Sequence, residues 1–337
     1  MKKSASTPRA ANLNLPPYGY MHGGYLLSMQ ITPVPEAFRM GGRPATVADY
    51  DAYIDRQTAE MADFLWPRWN LQSCRWVGRS QAHAEELTHA DLALMKPLRQ
   101  KLDEEVIVPG FRLLQDVQPT ALRLGKSQHG MFKLEDSSAK GTIDLYLKGV
   151  KENAPDLLDK MKASVDAGFA RLGQTNLRFK QEFQRPRPYQ VAMIYGDSFD
   201  YEYGAVAVTP SLISGHCMQG LFVRSYATVV NQVSLAEHLG AIDALRQYCI
   251  EIGDRRVYAG VHYPSDNIAS WFGALRLCDH CFDGFGQQVK EFIWKAIQCS
   301  AVFAAIQNAS NQGHSVYKPL LAALEAEAGR KVGAPIP

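Results

Sequence analysis

The stretch from Asn153 to Leu172 constrains the fold of this chain most. Leu158, Met161, Val165, Phe169 and Leu172 recur every three or four residues, the spacing that lines one face of a 3.6-residue helix. Asn153 and Pro155 stand where a helix start is signalled. The pattern returns elsewhere. Thr46 with Asp49 reads as a cap ahead of Tyr50, Ile54, Met61 and Leu65, stopping at Pro67. Thr88 with Asp91 opens Met95, Leu98, Leu102 and Val106, with Pro97 starting or kinking that run and Pro109-Gly110 ending it. Ser234 with Glu237 opens Leu235, Leu239, Ile242, Cys249 and Ile252, and a last pair of helices follows Asp266 and Gln288. Residues 120–150, with Gly125, Gly130 and Gly141, read as loop or short hairpin. Strand signals are few, so the predicted fold class is all-α, a helical bundle.

Residues 1–45 are too rich in proline, glycine and tyrosine (Pro16, Pro17, Tyr18, Gly19, Tyr20) for a long helix. They read as an extended arm, packed on its own subunit or on a neighbour, which leaves a homo-oligomer open. Residues 46–325 read as a single helical domain and 326–337 as a frayed tail. Lys plus Arg number 36 and Asp plus Glu 34, a near balance that argues against a nucleic-acid surface. The most apolar window, Leu221 to Ile242, is interrupted by Arg224, Asn231, Gln232, Glu237 and His238, so no transmembrane segment is indicated. The start, Met-Lys-Lys-Ser-Ala-Ser, has no hydrophobic region behind it. A soluble, cytoplasmic protein is expected, or an exported one if a leader preceded this numbering. Six scattered cysteines do not make a disulfide framework. Cys278 and Cys281 lack the partners a zinc site would need and read as buried thiols on a helix.

Three islands carry chemistry: Lys180 with Arg187-Pro188, then Ser214-Gly215-His216, then Arg256 with His262 and Asp266. They supply three permanent cations, two imidazoles, a hydroxyl, a glycine amide and a carboxylate. That inventory suits a tetrahedral oxyanion such as phosphate, held by guanidinium, ammonium and amide donors. One histidine can attack or ligate the central atom while the other handles a proton. In a bundle, Lys180 falls near a helix end and Arg187 in an extended Arg-Pro-Arg-Pro segment. Ser214-Gly215-His216 begins a helix running through Val229, with its positive dipole end toward an anion. His262 and Asp266, four apart, are expected to share a helix face.

In types, order and spacing these islands resemble the signature of the type 2 phosphatidic acid phosphatases. That superfamily includes the bacterial class A acid phosphatases and the vanadium-dependent haloperoxidases. Two positions depart from the pattern: Ile213 stands where a proline precedes Ser-Gly-His, and Arg255 where a serine precedes the third-motif arginine. The resemblance implies a phosphatase with His262 as nucleophile, Asp266 as its support and His216 as general acid. It implies that Lys180, Arg187, Ser214, Gly215 and Arg256 hold the phosphate oxygens, with no metal and no cofactor. The substrate would be a phosphorylated small molecule or lipid. The alternative is a haloperoxidase with vanadate as cofactor and His262 as its axial ligand. Arg255 lies outside the implied ligand set, and its loss is expected to be mild.

Overall fold

The computed structural model describes residues 34–334 apart from 63–67, 71–74, 78–80, 109–111, 114–121, 138–141, 149, 151–153, 197–200 and 203–208. The arm expected over residues 1–45 lies outside the described residues as far as position 33. The architecture is all-α, with only short two-stranded ladders among the described residues. Helix α1 (Val47–Glu60) starts on the predicted box. Thr46 Oγ1 accepts from Asp49 N at 3.2 Å, and Asp49 Oδ2 accepts from Thr46 N at 2.8 Å.

Helix α2 (Gln81–Leu98) begins seven residues before Thr88. The reading of Thr88 and Asp91 as its cap is corrected, because Thr88 Oγ1 donates to Ala84 O at 2.7 Å inside the helix and Asp91 points into the core. Pro97 falls in its last turn, after which the chain tightens into a 3₁₀ segment, Arg99–Asp103. Val106 is not helical but sits in strand Glu105–Val108, which pairs antiparallel with Leu122–Ser127. The region read as loop or hairpin also holds helix α3 (Gln128–Ser137).

Helix α4 (Pro155–Leu172) buries the predicted stripe of Leu158, Met161, Val165 and Leu172, with Phe169 half-buried. Then come α5 (Thr175–Phe183), α6 (Pro188–Ile194) and α7 (Gly215–Met218), which a π segment (Gln219–Val223) joins to α8 (Arg224–Val230). Ser234 does not cap the following helix. Gly240, at φ +82°, sets the chain into α9 (Ala241–Tyr258) instead, a left-handed turn that glycine makes without a Cβ penalty.

Helix α10 (Pro264–Cys281) is buried at every residue from Pro264 to Cys278, the mark of a helix at the centre of a bundle. It packs against α2, α7, α11 (Gly286–Ile297) and α13 (Lys318–Gly329), with α12 (Ala301–Asn311) between the last two in sequence. Cys278 and Cys281 are buried thiols on it. The fraying expected after Ala326 is also corrected. Residues 326–329 complete α13, and Arg330 pairs with Glu327 at 2.7 Å and also with Asp279. Among the described residues no helix is long and apolar enough to cross a membrane.

Candidate active site

Lys180 sits in the last turn of α5, where the chain turns out through Gln184 at φ +50°. Its ammonium is buried and donates to the carbonyls of Pro210 and Ser211. Arg185-Pro186-Arg187-Pro188 then runs extended, because residues before proline avoid the helical region, and Arg187 is the N-cap of α6. The Arg187 guanidinium donates to Thr209 O at 2.7 Å and to Val261 O at 2.6 Å.

Ser214 caps α7, its Oγ accepting from Cys217 N at 3.4 Å, while its own amide donates to Ser270 Oγ at 3.0 Å. Gly215 follows as the first helical residue. A Cβ there would stand 2.7 Å from Asn176 Nδ2 of α5, so a larger residue would have to push that side-chain amide aside. Gly253 of α9 plays the same part against α7, since a Cβ would lie 2.6 Å from Cys217 Sγ. These two contacts bring the second motif against the first and the third.

Arg256 occupies the last turn of α9. His262 lies in the loop before α10 and Asp266 in that helix's first turn. They do not share a helix face as expected, yet His262 Nδ1 and Asp266 Oδ2 are 3.1 Å apart. The carboxylate also accepts from Tyr263 N at 3.0 Å and from Ser211 Oγ. On the other side of the ring, Arg187 Nη1 stands 2.9 Å from His262 Nε2. A guanidinium has donors only, so Nε2 is the acceptor and His262 is neutral, with its proton on Nδ1. The direction of its pKa agrees. Burial and then the Arg187 charge push it well below the ordinary histidine range, against the pull of Asp266. Asp266 itself is held well below the carboxylate range; Arg185 and His262 overcome the cost of its burial.

His216 projects from α7 with its side chain 21% exposed, Nε2 lying 3.6 Å from Asp136 Oδ1. Its pKa is also pushed well down, first by burial and then by the charge of Arg256, with Arg224 and Lys180 adding to it. Arg256 is covered by α3. Its guanidinium donates to Asp136, to Glu135 Oε2 at 3.0 Å and to Phe132 O at 3.5 Å, and lies 4.4 Å over the Phe132 ring. Its Nε is buried with no hydrogen-bond partner among the described residues.

The structure therefore gathers all eight predicted residues around α7 and the start of α10. Lys180 and Arg187 stand with the His262–Asp266 pair, and Asp136 links His216 to Arg256 beside them. The sequence reading missed Ser211, Arg185, Glu135 and Asp136. The doubled Arg-Pro in Arg185-Pro186-Arg187-Pro188 was a usable signal for Arg185, whereas Glu135-Asp136 looked like any solvated pair.

Residues 167–286, from within α4 to the start of α11, match the family model of the PAP2 superfamily. That span is similar to the PAP2 superfamily. The matched segment contains every one of the eight residues. No curated protein and no solved structure matches the chain. Within the matched segment, Arg255 is no bystander. It is fully buried and donates to Glu135 Oε1 at 2.6 Å, Glu251 Oε2 at 2.9 Å and Gln128 Oε1 at 2.8 Å. Its loss is expected to cost stability rather than to be mild.

Proposed function

We infer that this protein is a phosphoric ester hydrolase of PAP2 type that works through a phosphohistidine. The likeness of residues 167–286 to the PAP2 superfamily suggests phosphatase-type activity. The observation that carries the finer reading is His262, neutral, with Nδ1–H on Asp266 and its Nε2 lone pair turned to the cationic side of the site. In this reading the substrate phosphate draws Arg187 off Nε2, Nε2 attacks phosphorus as the P–O ester bond breaks, and His216 gives its proton to the leaving oxygen. Water then attacks phosphorus, His216 takes back a proton, the N–P bond breaks and phosphate leaves. Lys180, Arg187, Arg256, the Ser214 hydroxyl and the Gly215 amide hold the three equatorial oxygens. Fixed cations would supply the charge stabilisation on which phosphoryl transfer depends, so no metal is required.

The test assays one purified sample for phosphate release from small and lipid phosphate monoesters, with and without EDTA. The same sample is assayed for bromide oxidation by peroxide with added vanadate. Chelator-resistant phosphate release that vanadate blocks is expected, because vanadate can adopt the trigonal-bipyramidal shape of the transferring group. Bromide oxidation without phosphate release would replace this reading with the haloperoxidase one.

A further inference from the structure

Behind Asp266 lies a chain of charges that the eight predicted residues do not include. Asp266 Oδ1 accepts from Arg185 Nη1 at 2.7 Å, and Arg185 Nη2 donates to Asp91 Oδ2 at 3.0 Å, with all three side chains fully buried. Ser265 sits between them, receiving Arg185 Nη1 at 2.8 Å and giving its own hydroxyl to Asp91. Tyr317 donates to Asp91 Oδ1 at 3.0 Å, and the Arg185 guanidinium lies 3.7 Å over the Tyr263 ring. Asp91 belongs to α2 and Tyr317 to the turn before α13, both outside the 167–286 segment.

One buried guanidinium is neutralised by one carboxylate. Here two carboxylates share it, and the second gains nothing for packing that an apolar residue would not supply. What the second charge does is electrostatic: it divides the field of Arg185. With Asp91 ionised, Asp266 keeps more of its basicity and accepts more strongly from His262 Nδ1–H. With Asp91 neutral, Arg185 belongs to Asp266 alone, and that hydrogen bond weakens.

We propose that Asp91, backed by Tyr317, is a positioning residue whose negative charge, passed through Arg185, sets how strongly Asp266 polarises His262. The catalytic meaning of that tuning rests on the phosphatase reading above; the tuning itself does not. The charged and titratable groups facing Asp91 are Arg185, Asp266, Tyr263 and Tyr317. Those facing His262 are Arg187, Lys180, Asp266 and His216. Burial lifts Asp91 to about 6, with Arg185 pulling the other way, so the charge is present at neutral pH and lost in mildly acid solution.

The readout is the Nδ1–H proton resonance of His262 in ligand-free, histidine-labelled full-length protein, which needs no turnover. Asp91→Asn should move it upfield at pH 7. The wild-type resonance should make the same upfield move as pH falls through about 6, and Asp91→Asn should lose that pH dependence. Tyr317→Phe removes only a hydroxyl that stabilises ionised Asp91, so it should carry the wild-type transition to higher pH. An Asp91→Asn protein that folds, with an unmoved resonance and an unchanged pH dependence, overturns the proposal. Should Asp91→Asn fail to fold, an unshifted transition in Tyr317→Phe overturns it instead. A protein that releases no phosphate but shows these shifts would sink the functional reading and leave the tuning in place.

Discussion

Asp136 stands on Arg256. The guanidinium that the third motif would offer to phosphate is held by this carboxylate, which also lies 3.6 Å from His216 Nε2. A phosphate that engages Arg256 must displace Asp136 or reach the buried Nε. Removing Asp136 should therefore favour anions, both by freeing donors and by deleting a negative charge at the site. Asp136→Ala is expected to lower the inhibition constants of phosphate and vanadate several-fold, read from competition assays. Weaker inhibition would mean that Asp136 orients Arg256 rather than competing for it.

Arg255 and Arg256 should part company when mutated. Arg255→Ala leaves Glu251 without its cation and Glu135 with Arg256 alone, and breaking a buried pair costs roughly 3–5 kcal/mol. The loss should appear in denaturant melts. Arg256→Ala should instead act mainly on kcat/KM, because Glu135 keeps Arg255 as a partner. A fully stable Arg255→Ala protein would contradict the buried network.

The pH dependence follows from the two histidines. His216 must be charged to act as acid and His262 neutral to attack, and burial pushes both pKa values below the usual range. The protonated form of His216 is lost as pH rises through its lowered pKa, so the alkaline limb of kcat/KM should fall on the acid side of about 6.5. The two limbs belong to the coupled pair rather than to single residues. A limb above neutrality would require a raised His216 pKa.

Away from the site, Asp254 accepts from Ser300 Oγ at 2.7 Å and Ala301 N at 2.9 Å at the start of α12, and burial lifts its pKa to about 7. A raised carboxyl pKa means that the folded state holds a proton the unfolded state has released. Between the ordinary aspartate value of about 3.9 and about 7, this group therefore makes stability fall as pH rises. The slope approaches about 1.4 kcal/mol per unit. Asp254→Asn should remove that slope from urea melts taken at pH 4.5–7, and an unchanged slope would place the Asp254 pKa near its ordinary value.

Local chemistry decided what could be read in advance. The stripe in α4, the Thr46–Asp49 cap and the helix start at Ser214-Gly215-His216 are set by neighbours within four residues, and each has its structural counterpart. The starts of α2 and α9 were misread for one reason. Thr88 and Ser234 are residue types that cap, but the first bonds back inside its own helix and the second is followed by the Gly240 turn. Asp91, taken for a capping residue, is instead matched to Arg185, 94 positions away. Glu135 and Asp136 meet Arg255 and Arg256 across 120 positions. No periodicity encodes such pairings; they exist only once the helices have packed.

The two histidines can be told apart by what leaves. A nitrophenolate departs readily as an anion, whereas an alkoxide needs a proton. If His216 supplies that proton, His216→Ala should damage hydrolysis of an alkyl phosphate far more than that of nitrophenyl phosphate. General acid help is worth about 10²–10⁴-fold, so the gap between the substrates should be wide. His262→Ala should remove both activities alike, because a nucleophile is needed whatever leaves. The comparison belongs on kcat/KM, where slow breakdown of the phosphohistidine does not mask the first step. Equal losses on the two substrates in His216→Ala would deny His216 the acid role. Its position beside Arg256 and Asp136 would then make it a ligand of the phosphate oxygens.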